Sequence, residues 1–224
     1  EVLQEPAAAF AAQADYQLLE QAPYRYHELL GVIWRESAAS KLNQGEQAIL
    51  MAALMESDNQ GNPLIAEYIK RSGVSIEVWL SKMFDAVVIP YYHLLCKYGV
   101  SLIAHGQNVT LVLENNLPKR ILLKDFQGDM RLVDSDYPEQ NSLEPSVKEV
   151  TVRLEEALII HDLQTGHFVT TLRFISPLVA KLGLSESQFY ALLGQRIRTY
   201  MAQNPSYQHR FNKFDLFKLR FLRI

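Results

Sequence analysis

The stretch Val109–Leu123 constrains this chain more than any other. Val109, Leu111 and Leu113 alternate with Thr110 and Val112, and Arg120-Ile121-Leu122-Leu123 forms a second apolar run. Glu114-Asn115-Asn116 between them supplies turn chemistry, so the segment is expected to form a β-hairpin. A hairpin returns to where it began. The residues before it, Ala104-His105-Gly106-Gln107-Asn108, should then face those after it, Lys124-Asp125-Phe126-Gln127-Gly128. An imidazole and amides on one side, with an acid on the other, suit a metal-bound polyphosphate.

Around the hairpin the pattern is helical. Residues 6–21 are Ala-rich, and Tyr24–Ser40 places Tyr26, Leu29, Leu30, Ile33 and Trp34 at helical spacing. Gln47–Met55 and Leu64–Ser72 read as two further helices, the second stopped by Gly73. Ser75 is expected to cap the longest helix, which runs through Trp79, Met83, Val87 and Leu94 toward Tyr98, with a kink at Pro90 and an end at Gly99. Asp134–Ser146 is polar and Pro-containing, as a surface loop would be. Ser146–Leu163 and Thr165–Ala180 read as helices, the latter with Phe168, Leu172 and Phe174 inward. Ser185-Glu186-Ser187-Gln188 marks a last helix start, with Phe189, Leu192, Leu193, Ile197 and Tyr200 following before Pro205. The expected fold class is mainly α with a central β-hairpin, that is, α+β.

Composition narrows the function classes. With 224 residues, 48% hydrophobic and 21% charged, the chain can bury a substantial core. A net charge of −3 gives no electrostatic case for nucleic acid or an anionic membrane as partner. The single cysteine, Cys96, leaves no internal disulfide and too few thiols for a zinc cluster, which fits a reducing, cytoplasmic compartment. No apolar run reaches the roughly 18 residues of a spanning helix. Glu1-Val2-Leu3 does not read as a signal peptide, and both ends look cut, as in a piece of a longer protein.

Among candidate site residues, Asp125 suits a hard oxygen ligand for magnesium, or it caps the turn after the strand. Asn108 can offer a carbonyl to the same metal or an amide donor to a phosphate, or serve only in a turn. Arg35 ends an apolar helical face, where it would meet an anion or an exposed acid such as Glu36. Lys124 and Arg131 bracket the Asp-Phe-Gln-Gly-Asp turn and would add positive charge. His161 and His167 flank Asp162-Leu163-Gln164-Thr165-Gly166, where a metal site competes with core or helix-end roles. The Tyr91-Tyr92-His93 cluster and Cys96 read as core packing, with the thiol inert. A His-x-x-Asn followed by Asp-Phe after a hairpin loosely resembles kinase-like folds. The acid that would accept a hydroxyl proton is missing, which favours phosphate binding without kinase-type base catalysis.

Longer stretches carry a more specific resemblance. Tyr26-His27-Glu28-Leu29-Leu30-Gly31-Val32-Ile33-Trp34-Arg35-Glu36, Tyr98–Asn108 and Leu123–Leu132, together with His161–Phe168 and Leu172–Leu178, are similar to the NRPS-independent siderophore synthetases. The likeness runs from about residue 22 to residue 217. It implies an enzyme that uses ATP and Mg2+ to adenylate a carboxylate of citrate or a citryl intermediate. An amine of a hydroxamate-bearing amino acid derivative, N6-acetyl-N6-hydroxylysine in the aerobactin-type branch, then forms the amide, with release of AMP and diphosphate. Carried over by position, Arg35, His105, Gln107 and Asn108 would contact nucleotide or carboxylate, with His105 in a catalytic role and Lys124 adding charge. Asp125, with Asn108, would hold the metal. Some family members have a Glu two residues before the His; here that residue is Ile103. The resemblance also implies a thumb, fingers and palm architecture of which residues 1–224 form the C-terminal, palm-like part, catalytically dead in isolation. The competing class is a kinase-like phosphotransferase or a nonenzymatic nucleotide-binding module. The amine, the carboxylate and the oligomeric state, with a homodimer as one option, are left open.

Overall fold

A computed structural model describes residues 7–10, 31–34, 36–124 and 129–218. Strand β1 (Ala7–Phe10) pairs antiparallel with β2 (Gly31–Trp34), inside two stretches whose composition predicts helix. Helix propensity is a weak prior that backbone pairing overrides. Of 24–40, residues 24–30 and 35 lie outside the described residues, and a short 3-10 turn, Ala38–Lys41, capped by Ser37, follows β2. The helix expected over Gln47–Met55 is also replaced. Glu46–Leu50 is strand β3, and only Met51–Met55 is helical, as a 3-10 turn.

Two helices follow as the sequence predicts. Helix α1 (Leu64–Ser72) ends at Gly73, whose φ of 72° is the left-handed cap that glycine adopts without steric cost. Helix α2 (Ile76–His93) starts where Ser75 Oγ accepts from the Val78 amide at 3.3 Å. Pro90 lies inside it, and the chain continues as a π turn over Leu94–Tyr98 before Gly99. A Cβ on Gly99 would fall 2.5 Å from Val133 Cγ1 and 2.7 Å from Gln140 Nε2, so only glycine fits. That Gln140 amide is buried and donates to the Tyr98 and Gly99 carbonyls, both at 3.1 Å. The 134–146 connection is thus anchored rather than a plain surface loop.

Strand β4 (Val100–Leu102) leads to the hairpin, β5 (Val109–Glu114) and β6 (Leu117–Leu123). Asn115 and Asn116 form its two-residue loop with φ of 51° and 62°, the positive values that match the twist of the strands. Val109 pairs with Leu123 at the open end. β3 adds to the far side of β5, giving the order β3-β5-β6, so the hairpin is part of a three-stranded sheet. Strand β7 (Met130–Val133) pairs antiparallel with β4 and parallel with β8 (Val152–Leu154). Ser146–Leu163, predicted as one helix, is therefore broken: a short helix at Pro145–Val150, strand β8, and helical turns at Glu156–Ile159 and His161–Leu163.

Gln164–Leu172 is π-helical and runs into helix α3 (Arg173–Ala180). Leu172 is buried as expected, but Phe174 is 52% exposed and faces away from the core. Helix α4 (Glu186–Gln203) opens on a capping box in which Ser185 and Gln188 satisfy each other's backbone N–H. The core lies where α2 packs against β6 and α4. Trp79, Leu80, Met83 and Phe84 are fully buried there, and Phe84 meets Phe189 edge-on at 5.1 Å. Trp79 Nε1 donates to the Asn116 carbonyl at 2.9 Å, tying α2 to the hairpin turn. The architecture is α+β, as expected, with more strand than one hairpin. Among the described residues no helix is long and apolar enough to cross a membrane.

Candidate functional site

The open end of the hairpin meets the β4–β7 ladder, and the candidate site forms at that junction. β4 pairs with β7 through Leu102 and Met130, and one further bond, from the Ile103 amide to the Asp129 carbonyl at 3.0 Å, extends the register. Asp129 therefore stands opposite Ile103, two residues before His105. His105–Asn108 is a tight turn, closed by the Asn108 amide donating to the His105 carbonyl at 2.9 Å. That turn brings the His105 and Asn108 side chains together, with Asn108 Nδ2 3.2 Å from His105 Nε2. Asn108 is 5% exposed, and its amide also donates to the Asp129 carboxylate. The same carboxylate oxygen lies 3.6 Å from His105 Nε2. Three polar side chains from two separate chain segments thus form one hydrogen-bonded cluster.

The turn is held from two directions. On one side the Gly106 carbonyl accepts from the Ala52 amide at 2.9 Å, and a Cβ on Gly106 would come within 3.0 Å of that nitrogen. On the other, the π-helical segment presents Gly166 and His167. A Cβ on Gly166 would lie 3.1 Å from Ile103 Cγ2, so the helix rests directly on the strand leading to the turn. His167 is fully buried with Nδ1 2.7 Å from the Ala104 carbonyl. A carbonyl can only accept, so Nδ1 carries the hydrogen and Nε2 is a bare, unpartnered acceptor. Burial pushes the His167 pKa down to about 4, so the ring is neutral at physiological pH.

Behind the cluster, buried Asp162 pairs with Arg131 at 2.5 Å. Burial raises the Asp162 pKa above the ordinary carboxylate value, against the opposing pull of Arg131, and the nearby charge of Asp129 adds to the rise. Burial, with the charge of Asp129 adding, also raises the Tyr91 hydroxyl.

The structure brings His105 and Asn108 together as the sequence predicts. Gln107, between them, is exposed and so accessible to a ligand, and Lys124 is half-buried at the end of β6. Arg35 and Asp125 lie outside the described residues. Arg131 is not loose positive charge for the site, because Asp162 neutralises it. His161 and His167 do not form a metal site: His167 is a core residue, and among the described residues no group of three or more His, Cys, Asp or Glu could hold a metal ion. Tyr91, Tyr92 and Cys96 are buried as expected, and burial raises the Cys96 thiol well above its ordinary value. The residue that sequence reasoning passed over is Asp129. The acid closing Asp-Phe-Gln-Gly-Asp was visible, but its partner depends on the β4–β7 register.

Magnesium needs few protein ligands when substrate phosphates supply others. The donor chemistry fits that requirement: the amide oxygen of Asn108 is a hard ligand, and the Asp129 carboxylate engages that amide at its nitrogen and leaves the oxygen available.

Comparison with known proteins decides the family. The chain is 81% identical over 224 residues to an aerobactin synthase of Vibrio mimicus, covering all of this chain and 38% of that protein. It is 52% identical to the aerobactin synthase of Escherichia coli, again over 38% of its length. The solved structure of aerobactin synthetase IucC from Klebsiella pneumoniae superposes with a TM-score of 0.89 at 52% identity, over 100% of this chain and 39% of that one. Residues 77–223 match the family model described as "Ferric iron reductase FhuF-like transporter". The chain belongs to the NRPS-independent siderophore synthetases and carries their FhuF-like domain. The chain spans about two fifths of the length of the relatives it matches. The cluster at the hairpin mouth falls inside the FhuF-like region.

Proposed function

We propose that the protein to which this chain belongs adenylates a carboxylate of citrate, or of a citryl intermediate, with ATP. It then joins that carboxylate to a hydroxamate-bearing amine such as N6-acetyl-N6-hydroxylysine, as in aerobactin-type siderophore biosynthesis. The observation that carries the reading is the His105–Asn108–Asp129 cluster at the open end of the hairpin, in a chain so similar to aerobactin synthases. The 1–224 segment is then the palm-like part of the enzyme, contributing one wall of the nucleotide site.

The chemistry requires two displacements. A carboxylate oxygen of the substrate attacks the α-phosphorus of ATP, the bond to the bridging oxygen breaks, and diphosphate leaves. The amine then attacks the acyl carbon, loses a proton, and expels AMP. Negative charge builds on the leaving diphosphate in the first step, so groups aimed at it in advance lower the barrier. His105 and the exposed amide of Gln107 are placed to donate to phosphate or carboxylate oxygen, and Lys124 and Arg35 add positive charge. Asn108 and Asp125 would hold Mg2+, which when bound supplies positive charge to the phosphate oxygens. The amine needs no activation beyond a free lone pair once the acyl group carries AMP.

Exchange of labelled diphosphate into ATP by the full-length protein tests the assignment. Asn108→Ala and Asp125→Ala should each reduce carboxylate-dependent exchange by at least about 100-fold. Wild-type exchange in Asp125→Ala would remove it as the metal ligand.

A further inference from the structure

The Asn108–Asp129 contact fixes something that side-chain position alone leaves free. A carboxamide can sit either way round in nearly the same space, and the two orientations present opposite chemistry. With nitrogen outward the group is a donor and repels a cation. With oxygen outward it is an acceptor and a hard ligand. Asp129 decides between them, because an ionised carboxylate has only acceptors and must face the nitrogen. His105 Nε2, 3.2 Å from the same nitrogen, takes the second amide hydrogen when it is the unprotonated ring position. Both Asn108 donors are then used, and Oδ1 is left as the one function the side chain can offer a ligand.

The frame around the contact is rigid enough to enforce this choice. Asn108 is 5% exposed and immediately precedes β5, while Asp129 is set by the backbone bond from Ile103 just ahead of β7. Ala52, bonded to the Gly106 carbonyl, and His167, bonded to the Ala104 carbonyl, hold the turn from either side. We propose that Asp129 is a positioning residue that locks the Asn108 amide with its oxygen outward, making position 108 an oxygen ligand for a divalent cation carried by the nucleotide. The proposal rests on the adenylation reading for the presence of that cation, and it adds the residue that makes Asn108 competent to hold it.

The test is Mn2+ binding to the full-length protein in the presence of a non-hydrolysable ATP analogue, read by electron paramagnetic resonance, with melting temperature measured alongside. Asp129→Asn keeps the size of the side chain but can pair with either orientation of Asn108, so Mn2+ affinity should fall by about 10–100-fold. The exchange Asn108→Asp with Asp129→Asn should recover most of that loss. Position 108 then carries a carboxylate, which shows oxygen whichever way it turns, and the amide at 129 still donates to it. A purely structural role would lower the melting temperature without this selective loss and recovery. Unchanged Mn2+ affinity in Asp129→Asn, while Asn108→Ala loses binding, overturns the positioning role and leaves the adenylation reading standing. Unchanged affinity in Asn108→Ala removes position 108 as a metal ligand and overturns the proposal, while carboxylate-dependent diphosphate exchange by the wild-type protein decides the adenylation reading separately. Should Asp129→Asn itself destabilise the protein, the exchange decides: recovery supports the proposal, and weak binding at a wild-type melting temperature overturns it.

Discussion

The His167→Asn substitution tests the clamp behind the site, and its effect can be worked from burial and pH. His167 is fully buried, donates through Nδ1 to the Ala104 carbonyl, and leaves Nε2 without a partner. Its pKa is pushed down to about 4, against an ordinary 6.5 in the unfolded chain. The sign follows from proton binding. Below 6.5 the unfolded chain takes up a proton on this ring that the folded chain refuses, so stability present at neutral pH is lost as pH falls from 6.5 toward 4. At about 1.4 kcal/mol per pH unit the whole effect is about 3 kcal/mol, of which about 2 kcal/mol disappears between pH 7 and pH 5. Asparagine keeps a donor where Nδ1 stood but cannot titrate. Urea unfolding of both proteins at pH 7 and pH 5 isolates the His167 contribution, since His93, whose pKa burial also lowers, is common to the two. The wild type should lose about 2 kcal/mol more than the variant over that interval. Equal losses would refute the buried neutral imidazole.

Other outcomes follow from the same contacts. Gly106→Ala places a Cβ 3.0 Å from the Ala52 amide nitrogen, so the turn must shift; stability in urea should fall by about 1–3 kcal/mol, and an unchanged midpoint would contradict the close approach. Cys96 is fully buried with its thiol pKa raised, so a thiol reagent should label it only on unfolding, and rapid labelling of the native protein would contradict that. Arg120, with the Asn43 amide and Lys119, holds the Glu46 pKa down to about 2. Stability from this group is present above its ordinary value of 4.5 and lost as pH falls toward 2. Acid titration of Glu46→Gln should therefore show a shallower loss than wild type in that range, and parallel curves would reject the pairing.

What the sequence disclosed was whatever its neighbours decide. Asn115-Asn116 adopts positive φ by its own chemistry, and Ser185 with Gln188 closes a capping box within one turn, so the hairpin and α4 were legible. Ser75 and Gly73 punctuate α2 and α1 in the same local way. Gln47–Met55 misleads because Ile49, Leu50, Ala53 and Leu54 fit helical spacing, while the strand partner that claims Glu46–Leu50 lies far along the chain in β5. The break at β8 has the same origin, a parallel pairing with β7 that no local pattern announces. Of the site, His105 and Asn108 were legible because one turn joins them. Asp129 joins them only through the β4–β7 register, and His167 through the packing of a π-helical segment on Ala104. Phe174 reads as inward by periodicity, yet the π geometry of the preceding segment changes which face looks out.

If the site serves adenylyl rather than phosphoryl transfer, as proposed, the fate of ATP distinguishes the two. The full-length protein would be given ATP, Mg2+, citrate or a citryl substrate, and a hydroxamate-bearing amine, and its products followed by phosphorus NMR and mass spectrometry. AMP and diphosphate should appear in step with amide formation. ADP and a phosphorylated product, with no amide, would contradict it.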